Sequence, residues 1–474
     1  MVQSRITAWT RPHRAFAAIA LVFGTALVLV VPPFQSPDES FHFLRAYQIT
    51  EGGFVPHEKD RRDLMGATLP VSLDRVASPF LKMFLHPEIK ASFDDIRQAW
   101  RLPLQEQNRA FQIFPTTAHY SPTGYVGQCL GIGLGRALDL GPLAMLYLGR
   151  EGNLLLWILL GFFALRSAPA IARPLFFLLL MPMSLNFAAT LSADPSTSGL
   201  AALFTALVCK YFALGAKSIN RTRLVLLAAI SLPLTVSKLA YAPLLALLLL
   251  IPTRNFGARA EWAAKLALLA ALNLTAFLLW ASCTSNLDTQ INPGQGVSPH
   301  RQLDFIEHHP AQFAHIFTDT LRRGTWYYLE MFVGVIGWYD GFLPAPFVIG
   351  YLILLILACW SCDDSPPLPP PLRAPAVILP LFALIFLIIA LLSYLFWTEV
   401  GRSLIYGING RYMIPVAPAI LLLLCSAFRA LPPTWRIHGP SSLRLSARLN
   451  ALAVLVSLGV CIYFLREVWL RFYG

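Results

Sequence analysis

Charge is what this chain has least of. Only 13% of its 474 residues are Asp, Glu, Lys or Arg and 56% are hydrophobic, whereas soluble globular domains carry about a quarter charged residues. Mean hydropathy is +0.59. Long polar stretches are also missing, since only residues 34–118 look like a water-exposed unit, so soluble multidomain, fibrous and disordered classes are excluded. Seven cysteines, an odd number lying in or beside apolar runs, exclude a disulfide framework. Cys359-x-x-Cys362 has no second pair and reads as the end of an apolar run. Acids are scarcer than bases, 25 against 37, for a net charge of +12. Those bases sit beside apolar runs rather than along one face with interleaved aromatics, which excludes nucleic acid as the partner.

What is present is a series of apolar runs of membrane-spanning length. Residues 15–32 make an 18-residue run, about 27 Å as a helix and close to the hydrocarbon thickness. Arg5, Arg11 and Arg14 precede it and Pro32-Pro33 ends it, which predicts an uncleaved anchor with a cytoplasmic N-terminus. Further spans are predicted at 143–165, 174–191, 196–214, 222–236, 239–252, 263–283, 345–361, 374–397, 411–428 and 449–465. The expectation is an all-α polytopic membrane protein of about eleven transmembrane helices, within a range of about ten to thirteen. The N-terminus and the connections at 166–173, 215–223, 253–265, 362–373 and 429–448 hold 16 Lys and Arg against three acids, Glu261, Asp363 and Asp364. The positive-inside rule makes these the cytoplasmic side. Alternation then puts 34–142, 192–195, 237–238, 284–344 and 398–410 outside, which in a bacterium, with the chain in the inner membrane, means periplasm or cell exterior.

The chain therefore divides into the tail and first helix (1–33), a large outer loop (34–142), a bundle (143–283), a second outer loop (284–344) and the C-terminal helices (345–474). Residues 34–118 hold 11 acids and 10 bases and are expected to form short helices on the membrane face, without strands. The run 120–138, with its glycines and Arg136, is expected to lie in the interface. Four histidines at 300, 308, 309 and 315 lack partner cysteines and read as a solvated face.

The outer loop opens with Gln35-Ser36-Pro37-Asp38-Glu39-Ser40-Phe41-His42-Phe43. Two readings fit this string. Ser36 or Asp38 caps a helix that favours acids in its first turn, or a carboxylate fixed at the membrane surface serves as general base or cation ligand. Other polar residues stand at the same expected face: Asp194 in Leu191-Ser192-Ala193-Asp194-Pro195, Lys238 with Tyr241, and Arg411 with Tyr412. Arg150 and Glu151 lie about 11 Å inside a predicted span. Charge at such depth costs about 2.5 to 3.5 kcal/mol per residue and normally faces a bundle interior or a wet cavity. Acids beside Lys and Arg describe a site for an anionic substrate whose reaction needs a base. The aromatics Trp326-Tyr327-Tyr328 and Trp338-Tyr339 fit sugar stacking or an interfacial belt.

The order of these features resembles the GT-C superfamily of membrane glycosyltransferases, which use polyprenyl-phosphate or polyprenyl-diphosphate sugars on the outer face. Ser36-Pro37-Asp38-Glu39 followed by Arg45 is similar to its acidic first-loop motif. His119-Tyr120-Ser121-Pro122 is similar to the stretch closing that loop, and Arg150 to Asn153 to its Arg-leading helix. Asp194 stands where a second acid is expected, Ser237-Lys238 resembles the hairpin motif, and Arg411-Tyr412-Met413-Ile414-Pro415 resembles the late Arg-Tyr-x-x-Pro motif. More closely, Pro-Asp-Glu-x-x-His-Phe, Leu-Ser-Ala-Asp, Lys-x-x-Tyr and Gly-Arg-Tyr-x-x-Pro resemble a bacterial predicted-membrane-protein family, domain of unknown function 2142. Two departures are the single Pro122 in place of a Pro pair and Leu239 in place of the hairpin glycine.

The resemblance implies transfer of a sugar from a polyprenyl-phosphate carrier to an envelope glycan, lipid or protein. Asp38 would act as base, with Glu39 and His42 orienting it or the acceptor. Lys238 and Arg411 would hold the donor phosphate, and Asp194 a divalent cation or an acceptor hydroxyl. Arg45, Tyr120, Arg150, Tyr241 and Tyr412 would line the substrate site. The competing classes are a transporter or flippase, which wants midplane charges and an internal repeat not visible here, and a polymerase or ligase of lipid-linked glycans. An inactive membrane scaffold is a further alternative.

Overall fold

The computed structural model describes residues 11–59, 64–285, 296–362, 366–435 and 443–474. Arg5, Asp363, Asp364 and Arg436, which enter the charge balance above, and Asp60, Arg61, Arg62 and Asp63 of the outer-loop count lie outside them. Each of the eleven predicted spans falls on helical structure. Helix α1 (Pro12–Val30) starts with a proline at a position whose N–H would be unbonded anyway, and ends before Pro32. The loop helix α2 (Glu39–Thr50) and the interfacial helix α3 (Val126–Ala137) follow. After them come α4 (Pro142–Ser167), α5 (Ala172–Leu180), α6 (Pro182–Ala188), α7 (Asp194–Phe212) and α8 (Arg221–Ser237).

A 3-10 helix (Leu239–Leu250) leads to α9 (Arg259–Cys283), α10 (Pro299–His308) and α11 (Pro310–Val333). The chain closes with α12 (Ala345–Trp360), α13 (Arg373–Trp397), α14 (Ala417–Arg429) and α15 (Leu443–Phe472). Among the described residues five helices, α1, α4, α9, α13 and α15, are long and apolar enough to cross a bilayer alone. Pro169–Leu180 and Pro182–Ala188 reach that length and polarity only together, as a pair bent by 65° at a break next to a proline that has no N–H to give, a broken span or a re-entrant loop. The protein is an all-α polytopic membrane protein with its outward helix faces apolar, as lipid requires.

Helix α4 is the axis of the bundle, packed by α1, α3 and α7. The α3 contact is backbone to backbone: a Cβ on Gly131 would sit 1.9 Å from the Leu148 carbonyl oxygen, and one on Gly127 2.6 Å from that of Gly152. Small residues four apart permit this approach. At 12 residues α3 is about 18 Å long, too short to span.

The outer loop departs from expectation because it contains a sheet. Strands β1 (His57–Lys59), β2 (Leu64–Pro70) and β3 (Arg109–Ile113) pair antiparallel in that order, with Gly66 opposite Ile113. Only Met65, Ala67 and Leu69 carry the inward alternation, β1 is three residues long, and the other partner, β3, lies some forty residues away, so no local pattern announced the sheet. The second outer segment ends in a hairpin, β4 (Val335–Ile336) with β5 (Gly341–Phe342). Asp340 at its tip is anchored by Arg471 of α15, Nη2 to Oδ2 2.6 Å. His300, His308, His309 and His315 are all exposed.

Candidate active site at the helix ends

Two adjacent acids open the outer loop, and the backbone sends them in opposite directions. Asp38 adopts a left-handed conformation (φ 59°, ψ 11°), which Asp tolerates better than most residues, immediately before α2. Its side chain does not cap the helix. Its carboxylate instead accepts a hydrogen bond from Thr116 Oγ1 at 3.3 Å. Glu39 points into the bundle and has no exposed surface. It takes two hydrogen bonds from Arg150, at 2.8 Å and 2.6 Å, and one from the Leu191 N–H at 3.0 Å. Arg150 also donates to the carbonyls of Val28, Val31 and Pro32 at the end of α1. Glu39 and Arg150 therefore join α1, α2, α4 and the segment before α7. Glu39, expected beside the base to orient it or the acceptor, and Arg150, expected at the substrate site, are here spent on each other and on the backbone of neighbouring elements.

Asp38 feels the charges of a second cluster, assembled from distant segments. Asp194, the first residue of α7, is paired through Oδ1 with Lys238 and through Oδ2 with Arg411 Nε at 3.2 Å. Lys238 stands in the extended link between α8 and the 3-10 helix. Arg411 comes from the turn before α14, and Gly410 at its shoulder is required by contact: a Cβ there would lie 1.8 Å from the Tyr328 carbonyl oxygen. Aromatic faces wall the cations. Lys238 Nζ sits 4.9 Å from the Tyr120 ring centroid and 5.3 Å from that of Tyr412. Arg411 Cζ sits 4.4 Å from Phe187, 5.4 Å from Tyr339 and 5.3 Å from Tyr412. Such faces stabilise cations but use none of their hydrogen bonds. Arg411 Nη1 and the Tyr339 hydroxyl are buried without a hydrogen-bond partner. A cavity of about 10 Å³ beside Arg411 is lined also by Asp194, Phe187 and Trp157.

His42 and Arg45 hold the loop in place around this cluster. His42 Nδ1 lies 2.9 Å from the Tyr125 hydroxyl, and its ring stacks on Tyr120 at 6.1 Å. Burial pushes the His42 imidazole down to about 3, so it is neutral. Burial also pushes the Asp38 carboxyl above its ordinary value, against the pull of Arg411 and the Thr116 hydrogen bond. Arg45 is spent on Gln48 and on the carbonyls of Gly53, Phe54 and Tyr120. Tyr241 donates to the Tyr412 carbonyl at 3.0 Å.

Of the residues singled out in the sequence, Asp38, Asp194, Lys238, Arg411, Tyr120 and Tyr412 converge. His42 and Tyr241 stand behind them, and Glu39, Arg45 and Arg150 belong to the frame. Tyr339, Phe187 and Thr116 reach the site without having been singled out for it. Tyr339 alone had a signal, its place in an aromatic pair, and it has a left-handed φ of 64° at the hairpin tip. Among the described residues no three His, Cys, Asp or Glu side chains gather as metal ligands. Both oxygens of Asp194 already face cationic nitrogens, so the donor set does not fit a divalent cation held by the protein alone.

Fold and site together define a class: a polytopic helical membrane protein with a buried carboxylate–ammonium–guanidinium cluster where several spans end. The chain belongs to the family described as predicted membrane protein (DUF2142), whose model matches residues 21–420. Among solved structures it is similar to the crystal structure of ArnT from Cupriavidus metallidurans bound to undecaprenyl phosphate, at 16% identity and a TM-score of 0.42 over 96% of this chain and 73% of that one. No curated protein matches the chain.

Proposed function

We propose that this protein is a membrane glycosyltransferase that moves a sugar from a polyprenyl-phosphate carrier to an acceptor hydroxyl on an envelope glycan, lipid or protein. The reading also places the site on the outer face of the cytoplasmic membrane and the N-terminus inside. The observation that carries it is the meeting of Asp194 with Lys238 and Arg411 in one buried, aromatic-walled site that has a guanidinium nitrogen still unbonded and lies within electrostatic reach of Asp38.

The residues divide the chemistry as follows. The Asp38 carboxylate takes the proton of the acceptor hydroxyl, the requirement for a general base within hydrogen-bond reach. The acceptor oxygen forms a bond to the anomeric carbon as that carbon's bond to the phosphate oxygen breaks, with inversion. The electron pair leaves with the polyprenyl phosphate. Arg411 and Lys238 meet the charge that grows on it, Arg411 through the free Nη1, in surroundings where fixed cations act strongly. Asp194 holds the two cations apart and aimed. Neutral His42, locked by Tyr125, keeps Tyr120 flat against Lys238.

The test compares cells lacking the protein, cells carrying it and cells carrying Asp38→Asn. Loss of one glycan residue with build-up of its polyprenyl-phosphate donor, in both the null strain and the variant, supports transfer. Unchanged glycans with a mislocalised lipid intermediate assign the protein to transport instead.

A further inference from the structure

At the opposite end of α4 lies a second basic site that the transfer chemistry does not use. A cavity of about 330 Å³ opens between the start of α1, the last turn of α4, the turn into α5 and the start of α15. Arg11, His13, Arg166, Arg173 and Asn450 line it, with Leu165 and neighbouring small apolar residues on one side. No acidic side chain lines it among the described residues. Arg150 and Arg166 are sixteen residues apart on α4, so this cavity lies about 24 Å from the Glu39–Arg150 pair along that helix.

Topogenic arginines explain the charge but not the concavity. An arginine that only sets orientation reaches water on its own, whereas these three converge on one space. Arg173 is 7% exposed and is fixed there by Asn450 Oδ1 at 3.1 Å, Ser361 Oγ at 3.1 Å and Ser446 Oγ at 3.2 Å. The side chains of Arg11 and Arg166 are exposed and make no hydrogen bond or ion pair among the described residues, which leaves two planar forks open to an anion. Guanidinium forks match phosphate oxygens two at a time. The apolar side lies where α1 and α4 enter the hydrocarbon, the place of glycerol and acyl chains, and this favours a lipid over a free phosphate.

We propose that this cavity binds the phosphate headgroup of an anionic phospholipid from the leaflet opposite the transfer site. The binding clamps α1, α4 and α15 together and is independent of the chemistry at Asp38.

Thermal unfolding of the purified full-length protein in detergent tests it, with dioleoyl-phosphatidylglycerol, dioleoyl-phosphatidylcholine and inorganic phosphate as probes. The comparison variant is Arg11→Gln/Arg166→Gln, whose side chains are exposed and unpaired, so folding is preserved. Phosphatidylglycerol should raise the melting temperature of the wild type and phosphatidylcholine should not, and the variant should need at least tenfold more phosphatidylglycerol for the same shift. Equal responses to the two lipids, or a variant that responds like the wild type, would overturn the proposal. An equal shift from inorganic phosphate at the same concentration would also overturn it and give the cavity to a soluble phosphate compound.

Discussion

Asp38 and Glu39 are neighbours in sequence with unlike duties, and substitutions at the two should separate cleanly. Asp38→Asn should lower transfer about 10²- to 10⁴-fold, the range for losing a general base, without loss of folded protein. Burial raises the Asp38 pKa, so in the fold this carboxyl favours its neutral form. The stability tied to that preference is full below the unfolded pKa and gone once pH rises through the folded pKa. Asn, neutral at every pH, should therefore leave the melting temperature at neutral pH unchanged or slightly higher. As a base Asp38 must be ionised, so kcat/KM should fall as pH drops, with its acid limb above the ordinary carboxylate range. Arg150→Ala should instead unfold the protein, at a cost of about 3–5 kcal/mol for stranding a buried charge. Thermal unfolding in detergent beside an activity assay reads both. The sequence showed Asp38, Asp194, Lys238 and Arg411 as charged residues gathered at one expected outer face. It did not show that Arg150 answers Glu39, since that pairing spans 111 positions and depends on how α4 packs on α1.

At the scale of elements the α3–α4 contact makes the sharpest prediction. Gly131→Ala places a methyl group against the Leu148 carbonyl and should cost about 1–3 kcal/mol as overpacking. Gly133, two residues on, has open space where a Cβ would stand, and its change to Ala should be neutral or stabilising by up to ~1 kcal/mol through helix propensity. Equal effects would mean that α3 does not pack on α4 this way. The spans were legible because a bilayer imposes one length and one polarity on every crossing. The outer sheet and the Tyr339 hairpin were not, because β2 pairs with a strand far along the chain and the hairpin owes its place to Arg471. Tyr339→Phe should weaken donor binding and so raise KM, because it removes the hydroxyl left unpaired beside Arg411.

For the whole molecule, orientation is the claim on which the chemistry depends. Cys283 is exposed at the end of α9, whereas Cys129 is half-buried and the other five cysteines are buried. A membrane-impermeant maleimide added to intact spheroplasts should label Cys283, and Cys283→Ser should abolish the signal. Arg166→Cys in that background should react only after permeabilisation, and the reverse pattern would invert the protein. The fate of the lipid carrier separates sugar transfer from transport most directly. Purified protein in vesicles, wild type beside Asp38→Asn, would be given radiolabelled polyprenyl-phosphate sugars extracted from the host's own membranes, together with its envelope glycans. The prediction is label transferred to the glycan with free polyprenyl phosphate released by the wild type alone. Intact lipid-linked sugar moved across the bilayer, equally by both proteins, would contradict it.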